Sequence, residues 1–136
     1  MISLKSAEKF HGHLGPWLAL GLLMGDYGLK KINARKYFGL EVIANGLNKK
    51  PRSCLVDGLQ LSTGCTLGKG NIKINGYKKI KVTFKNCDNK RIICLGLRRN
   101  LLEELKKKMS HRQAQKIACE LFKIKPTYLF EVLTKV

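Results

Sequence analysis

The sequence predicts an α+β domain with N-terminal helices, a small, mainly antiparallel sheet and C-terminal helices. Apolar residues recur at helical spacing in the first thirty or so positions and again after Gly96. Between these regions, segments rich in Ile, Val and Phe are separated by Gly, Asn and Asp, as in strands joined by turns. With 136 residues and no linker or repeat, the chain is expected to form one domain over residues 1–136.

Two helices are predicted before the first strand. The first covers residues 3–10 and has an apolar side. Pro16 suits the first position of the second helix, because its missing N–H costs nothing there. This helix extends to about Lys31 and is apolar nearly all round, which predicts burial on most sides.

Three glycines, Gly21, Gly25 and Gly28, follow one another at helical spacing in the second helix. Glycine destabilises a helix. We therefore expect another helix or backbone to pack close against this stripe, and a subunit interface is one way to bury it.

The middle of the chain predicts four strands. The segment 38–45 is the first, and alternating apolar residues mark three more between Ile72 and Leu95. Asn75-Gly76 is a hairpin signal between the first two of these three. The pattern indicates an antiparallel meander with one buried face.

Helical spacing returns in the last forty or so residues. Ser110 and Gln113 form a capping box in front of a helix. Apolar residues at helical spacing predict one helix before this box, at Leu97, Leu101, Leu105 and Met109. Pro126 begins a last helix that includes Tyr128, Leu129, Val132 and Leu133.

The net charge of +18 comes from 27 basic and 9 acidic residues. A basic binding module for nucleic acid or an acidic partner is therefore one alternative. However, the lysines are spread along the chain, and no aromatic residues interleave with arginines for base stacking. An acidic protein partner or an anionic substrate fits the charge at least as well, and a nucleic-acid partner is not expected.

Five cysteines of irregular spacing follow no signal segment, so a disulfide framework is not expected. No apolar run reaches the length of a membrane span. We therefore expect a cytoplasmic protein with reduced thiols and no membrane partner.

The segment from Cys54 to Asn71 has the highest density of reactive and conformationally special residues. Its first seven residues predict a short helix, and its glycines predict an irregular loop afterwards. Such loops can cradle an anion or let a ligand approach the backbone. The residues predicted to bind a cofactor in this way are Gly64, Thr66, Gly68 and Asn71.

A metal site is predicted from histidines and cysteines. His11 and His13 flank Gly12, and on an extended segment both imidazoles would point the same way. Imidazole and thiolate together suit zinc best among divalent metals. The predicted ligands are His11, His13, Cys54 and Cys65. The alternative is that one histidine caps the following helix, the other is exposed, and Cys54 is a small buried hydrophobe.

A metal-free thiol enzyme is the alternative from another class. Cys65, in a loop near Lys69, would have a lowered pKa and act as a nucleophile activated by a histidine. Asp57 or Gln60 would orient a ligand or polarise a water, and Lys69 would neutralise an anion or pair with Asp57. The candidate catalytic residues are therefore Cys65, Asp57 and Lys69. The spacing before Lys69 excludes a Walker phosphate loop.

Two motifs carry a resemblance to a known family. FHGHLGP at Phe10–Pro16 and CLVDGLQLSTGCTLGKGN at Cys54–Asn71 resemble the core of the family of E-type subunits of formylmethanofuran dehydrogenase. The family pattern is F-H-G-H-x-C-P-G, then C-x-x-D-[AG]-[IL]-Q, then T-G-C-T-x-G-K-G-N. The second and third parts match completely, whereas Gly15 stands in place of a cysteine and Trp17 in place of a glycine.

The resemblance implies an α+β core, a homodimer and an accessory role beside the other formylmethanofuran dehydrogenase subunits. That enzyme reversibly fixes carbon dioxide onto methanofuran in methanogenesis. The chain resembles a core-only member, because it has no CxxC motif for the C-terminal zinc finger of many relatives. Gly15 removes one candidate metal ligand, and Trp17 would narrow the mouth of the pocket.

Overall fold

A computed structural model describes residues 1–136 and confirms the α+β class. It contains six helices and a mixed sheet of five strands. The helices are α1 (Leu4–His11), α2 (Pro16–Lys31), α3 (Cys54–Thr63), α4 (Arg99–Leu105), α5 (His111–Leu121) and α6 (Pro126–Leu129). The strands are β1 (Leu40–Asn45), β2 (Ile72–Asn75), β3 (Lys81–Asn86), β4 (Ile92–Leu97) and β5 (Phe130–Lys135).

The sheet has the order β2-β1-β3-β4-β5, and β1 pairs with β2 in parallel. The other three pairs are antiparallel. The predicted hairpin at Asn75-Gly76 is therefore wrong, because β2 pairs with β1 and not with β3. A parallel pair needs a crossover connection, and α3 supplies it between β1 and β2.

The C-terminal segment departs from the predicted helix. Helix α6 ends at Leu129, and β5 begins at Phe130. The backbone then pairs with the edge of β4, where Leu97 faces Phe130 and Leu95 faces Val132. Apolar residues at 128, 129, 132 and 133 fit a helical spacing, but the free edge of β4 and the β-branched residues favour a strand. The fold therefore ends in a strand and not in a helix.

The glycine stripe of α2 packs against α3, as the sequence predicts. A Cβ atom at Gly21 would lie 2.1 Å from the Leu55 carbonyl oxygen, and one at Gly58 would lie 2.4 Å from the Leu18 carbonyl oxygen. The two helices therefore touch backbone to backbone. This contact fixes the beginning of α3 beside the beginning of α2, and it is buried within the chain.

The helices cover one face of the sheet. Leu40, Val42 and Ala44 of β1 are buried and alternate with more exposed residues. Phe84 of β3 lies opposite Val42 and is fully buried against Gly28 of α2. The alternation predicted from the sequence is thus confirmed for this face. No helix is both long and apolar enough to span a bilayer.

Candidate metal centre

His11, His13 and Cys54 form a compact cluster of metal-ligating side chains. One donor atom from each residue lies within 4.8 Å of the donor atoms of the other two. The two imidazole rings are 4.6 Å apart between centroids. Zinc bonds to imidazole nitrogen and thiolate sulfur are about 2.0–2.3 Å long, so these donors are within reach of one ion.

The chain brings the two histidines together in an unpredicted way. The pair does not lie on an extended segment, because His11 is the last residue of α1. Gly12 then adopts a left-handed conformation with φ of 102°, which glycine tolerates without a steric penalty. This turn ends the helix and folds His13 back beside His11.

Cys54 is the first residue of α3 and reaches the histidines because α3 packs on α2. Burial raises the pKa of the Cys54 thiol, the negative charge of Asp57 raises it further, and Lys50 lowers it. Without a cation at the centre, the thiol form is therefore favoured. A metal ion would reverse this preference, because a coordinating thiol loses its proton.

His11 is the most constrained member of the cluster. Its Nδ1 lies 2.5 Å from Oδ2 of Asp57, and its side chain is only 11% exposed. Because a carboxylate accepts hydrogen bonds, this contact places the proton on Nδ1 and leaves the lone pair on Nε2. Nε2 is buried and has no hydrogen-bond partner. A buried polar atom without a partner needs an explanation, and a metal ion beside it would supply one.

The carboxylate of Asp57 is itself held in place. Nε2 of Gln60 lies 3.5 Å from Oδ1 of Asp57, and Oε1 of Gln60 accepts a hydrogen bond from the backbone N–H of Leu67. A carboxylate that orients a ligating histidine is the usual second layer of a metal site. The prediction that Asp57 or Gln60 orients a ligand agrees with this arrangement.

A pocket of about 250 Å³ opens beside the cluster, with His13 and Cys54 in its wall. We call it the His/Cys pocket. Trp17 also lines it, in agreement with the expectation that this residue narrows the mouth. His111, which belongs to no sequence motif of the site, lines the opposite side at the start of α5. The His13 and His111 ring centroids are 6.4 Å apart; no sequence spacing links these two residues.

Cys65 does not join the cluster. Helix α3 has ten residues and is therefore about 15 Å long, with Cys54 at its beginning and Cys65 just beyond its end. The Cys65 side chain is 0% exposed, and its sulfur lies 3.6 Å from the Leu40 carbonyl oxygen. Burial raises the pKa of the Cys65 thiol. The expected lowered pKa is therefore wrong, since burial outweighs the opposing effects of Thr63 and Lys69.

Lys69 and the glycine loop make internal contacts. The Lys69 ammonium donates to the carbonyl oxygens of Gly64, at 2.5 Å, and Tyr37, at 2.8 Å. It does not pair with Asp57, whose ionic partner is His11, so this part of the prediction is wrong. Neutralisation of an anion by Lys69 stays a prediction.

The loop's backbone amides also have partners within the chain. The N–H of Thr66 donates to Asn71 Oδ1, and the N–H of Gly70 donates to the Thr66 carbonyl oxygen. The side-chain and backbone contacts close the loop on itself at the end of α3 opposite the cluster. Cofactor binding by Gly64, Thr66, Gly68 and Asn71 stays a prediction.

Comparison with known proteins adds two findings. A protein of Archaeoglobus fulgidus named "Probable S-adenosyl-L-methionine-binding protein" is 36% identical over 70 residues, which cover 48% of this chain and 18% of that protein. The chain thus matches less than a fifth of this relative's length. The sequence profile of the family described as "FmdE, Molybdenum formylmethanofuran dehydrogenase operon" matches residues 10–133. Both the His11–His13 segment and the whole α3 motif lie within this match, and the chain belongs to the FmdE family.

Proposed function

We propose that this protein is a metal-binding accessory protein of the formylmethanofuran dehydrogenase system, with His11, His13 and Cys54 as its metal ligands. The observation that carries the proposal is the buried, unpartnered Nε2 of His11 beside two further donor atoms. Family membership gives the link to the dehydrogenase operon. Two imidazoles and one thiolate favour zinc among the common divalent ions.

Three protein ligands are characteristic of a zinc ion that keeps a coordination position open. A zinc ion bound in this way supplies Lewis acidity toward a carbonyl, carboxylate or water. The pocket wall contains His13 and Cys54, so an open position would face the pocket. Gly15 contributes to this openness, because the family pattern has a further thiol at its position.

The remaining residues position and shield this centre. Asp57 keeps the His11 proton on Nδ1, so that Nε2 is available as a ligand. Gln60 in turn contacts Asp57. Trp17 restricts access of water from the α2 side, and His111 presents a second imidazole across the pocket. His111 is therefore placed to hold or move a proton at a group bound beside the cluster.

The family name indicates a pathway, and we extend the proposal to it. The protein would assist the reversible fixation of carbon dioxide onto methanofuran in methanogenesis, in the cytoplasm, as a homodimer in contact with other dehydrogenase subunits. The basic surface supports contact with acidic partners, since the net charge is +18. The binding named for the Archaeoglobus relative belongs to a much longer protein, and S-adenosyl-L-methionine is a candidate ligand to test here.

A metal-free thiol enzyme is disfavoured by the position of Cys65. A nucleophilic thiol must be accessible and partly ionised at neutral pH. Cys65 is fully buried, and its pKa is raised.

Metal content tests the proposal. Protein purified without added metal is analysed by mass spectrometry as wild type and as the variants His13→Ala, Cys54→Ser and Cys119→Ser. We expect about one ion per chain in the wild type, loss of the ion in the first two variants, and retention in Cys119→Ser, because Cys119 is an exposed thiol on α5. Wild-type protein that neither contains metal nor takes up zinc would refute the proposal.

A further inference from the structure

A second depression in the surface lies next to the His/Cys pocket and is lined by cations. Its volume is about 490 Å³, and its walls include Lys49, Lys50, Arg52 and Lys78. Asn48 and Tyr77 also line it, and no acidic residue does. We call this depression the cationic groove. None of its four cations forms a salt bridge within the chain.

The charge of the surrounding sequence is one-sided. Asp57 is the single acidic residue between Glu41 and Asp88. Its carboxylate contacts His11 and Gln60 and is therefore committed to the metal centre. The groove thus has no internal counter-charge, and like charges in a concave surface concentrate a field that attracts anions.

The groove is also shaped by fixed contacts. Arg52 donates from Nη1 to the Lys78 carbonyl oxygen at 3.3 Å, which links the segment before α3 to the segment after β2. Gly76 lies so close to Asn48 that a Cβ there would be 2.7 Å from Asn48 Nδ2. These two contacts hold the walls together from both segments.

The groove and the His/Cys pocket are continuous. Pro51 lines both, and Lys50 is near enough to lower the pKa of the Cys54 thiol. The His/Cys pocket, at about 250 Å³, lies at the small end of ligand sites, which range over roughly 300–1,000 Å³. It therefore suits the reactive end of a larger molecule better than a whole one.

We infer that the cationic groove binds the oligoanionic tail of a small molecule, carrying two or more phosphate or carboxylate groups, whose other end enters the His/Cys pocket. This inference gives the substrate class of the proposed metal centre and rests on that proposed function. The cations attract the anionic groups, and the exposed Tyr77 ring offers an apolar surface beside them. Pro51 marks the boundary between the two halves of the ligand.

A fluorescent trisulfonate, 8-hydroxypyrene-1,3,6-trisulfonate, tests the groove directly, because sulfonates bind metals weakly. Binding is followed by fluorescence anisotropy for the wild type and for Lys50→Glu/Lys78→Glu. The matched control, Lys116→Glu/Lys123→Glu, changes the net charge equally at two exposed positions in and after α5. We expect the groove variant to lose at least about tenfold in affinity and the control less than about threefold, since nearby charges act most strongly within the Debye length.

A milder pair, Lys50→Gln/Lys78→Gln, replaces the groove variant if circular dichroism shows that the latter is unfolded. Competition by inorganic pyrophosphate and by propane-1,2,3-tricarboxylate then distinguishes a phosphate tail from a carboxylate tail. Equal losses in the groove and control variants would overturn the inference, because binding would then reflect overall charge. Tighter binding of a short single-stranded RNA than of all small anions would overturn it too.

Metal content is measured on the same samples. Unchanged metal in the groove variant, together with lost anion binding, supports a groove separate from the ligands. If the wild type holds no metal but binds the probe in the groove, the proposed function fails while the anion site stands. If metal is present and the probe does not distinguish groove from control, the groove inference alone fails.

Discussion

The contact between α2 and α3 gives a sharp prediction for Gly58→Ala. In an ordinary helix interior this substitution stabilises by about 0.8–1 kcal/mol, because alanine has the higher helix propensity. Here the new Cβ would lie 2.4 Å from the Leu18 carbonyl oxygen and 2.7 Å from the Gly21 Cα. Both are backbone atoms that cannot rotate away, so the helices must separate.

The clash should outweigh the gain in propensity. Overpacking typically costs about 1–3 kcal/mol, and occasionally more. A rigid backbone contact belongs at the upper end of that range, so we expect a net destabilisation of about 2 kcal/mol and a lower Tm. Separation of the helices also moves Cys54, on α3, away from His13, just before α2. Zinc affinity should therefore fall together with stability.

Urea unfolding followed by circular dichroism measures the first effect, and zinc competition with a fluorescent chelator measures the second. Gly68→Ala is the matched control, because a Cβ there meets only Thr66 Oγ1 at 3.9 Å. We expect this control to be within about 0.5 kcal/mol of the wild type. A Gly58→Ala protein as stable as the wild type would refute the close crossing.

Three further predictions concern the site and the buried thiol. Asp57→Asn should weaken zinc binding about 10–100-fold, because His11 loses the carboxylate that orients it. Gly15→Cys should tighten zinc binding by about tenfold, or about 1.4 kcal/mol, since a Cβ at position 15 lies 3.8 Å from the His13 ring and the φ of −148° is ordinary. Stability should fall as pH rises above about 9, because the pKa of Cys65 is raised in the folded state and the unfolded chain then loses its proton first.

Each of these has a direct measurement. Chelator competition gives the zinc affinity of both site variants, and stronger sulfur-to-cobalt charge-transfer absorption in cobalt-substituted Gly15→Cys would identify the new ligand. Unchanged affinity in Asp57→Asn would contradict the role given to the carboxylate. Urea midpoints at pH 8 and pH 10 test the thiol, with Cys65→Ala as the comparison. A Cys65→Ala protein with the same loss of stability at pH 10 would show that another group is responsible.

The elements that the sequence predicts well are those whose signal is local. Pro16 marks the first residue of α2, and Ser110 with Gln113 forms the capping box of α5. The glycine stripe of α2 also predicts its partner, because three glycines on one helix face have few explanations other than close packing. These features depend on a few neighbouring residues and no tertiary context.

The misses depend on distant parts of the chain. Whether residues 130–135 form a helix or a strand is decided by the open edge of β4. Likewise, the strand from Ile72 pairs with β1 because α3 returns the chain to that side of the sheet. Apolar spacing alone carries neither piece of information.

The candidate site was predictable in part. The residue types are right for His11, His13, Cys54 and Asp57, but density along the sequence wrongly groups Cys65 and Lys69 with them. The length of α3 separates the two ends of one motif, which a pattern of letters does not express. His111 is missed for the opposite reason, because it reaches the pocket from the start of α5.

The placement of the ligands on separate elements has a consequence for local unfolding. Helix α1 has eight residues and buries only Ala7 among them, so few apolar contacts hold it to the rest of the fold. A metal ion shared by His11 and Cys54 would join this helix to the first turn of α3 as a cross-link. Amide hydrogen exchange over residues 4–11 should then slow markedly when zinc is added, whereas exchange in the buried α2 should change little. In this protein the ion would serve as a clasp for the N-terminus as well as a reactive centre.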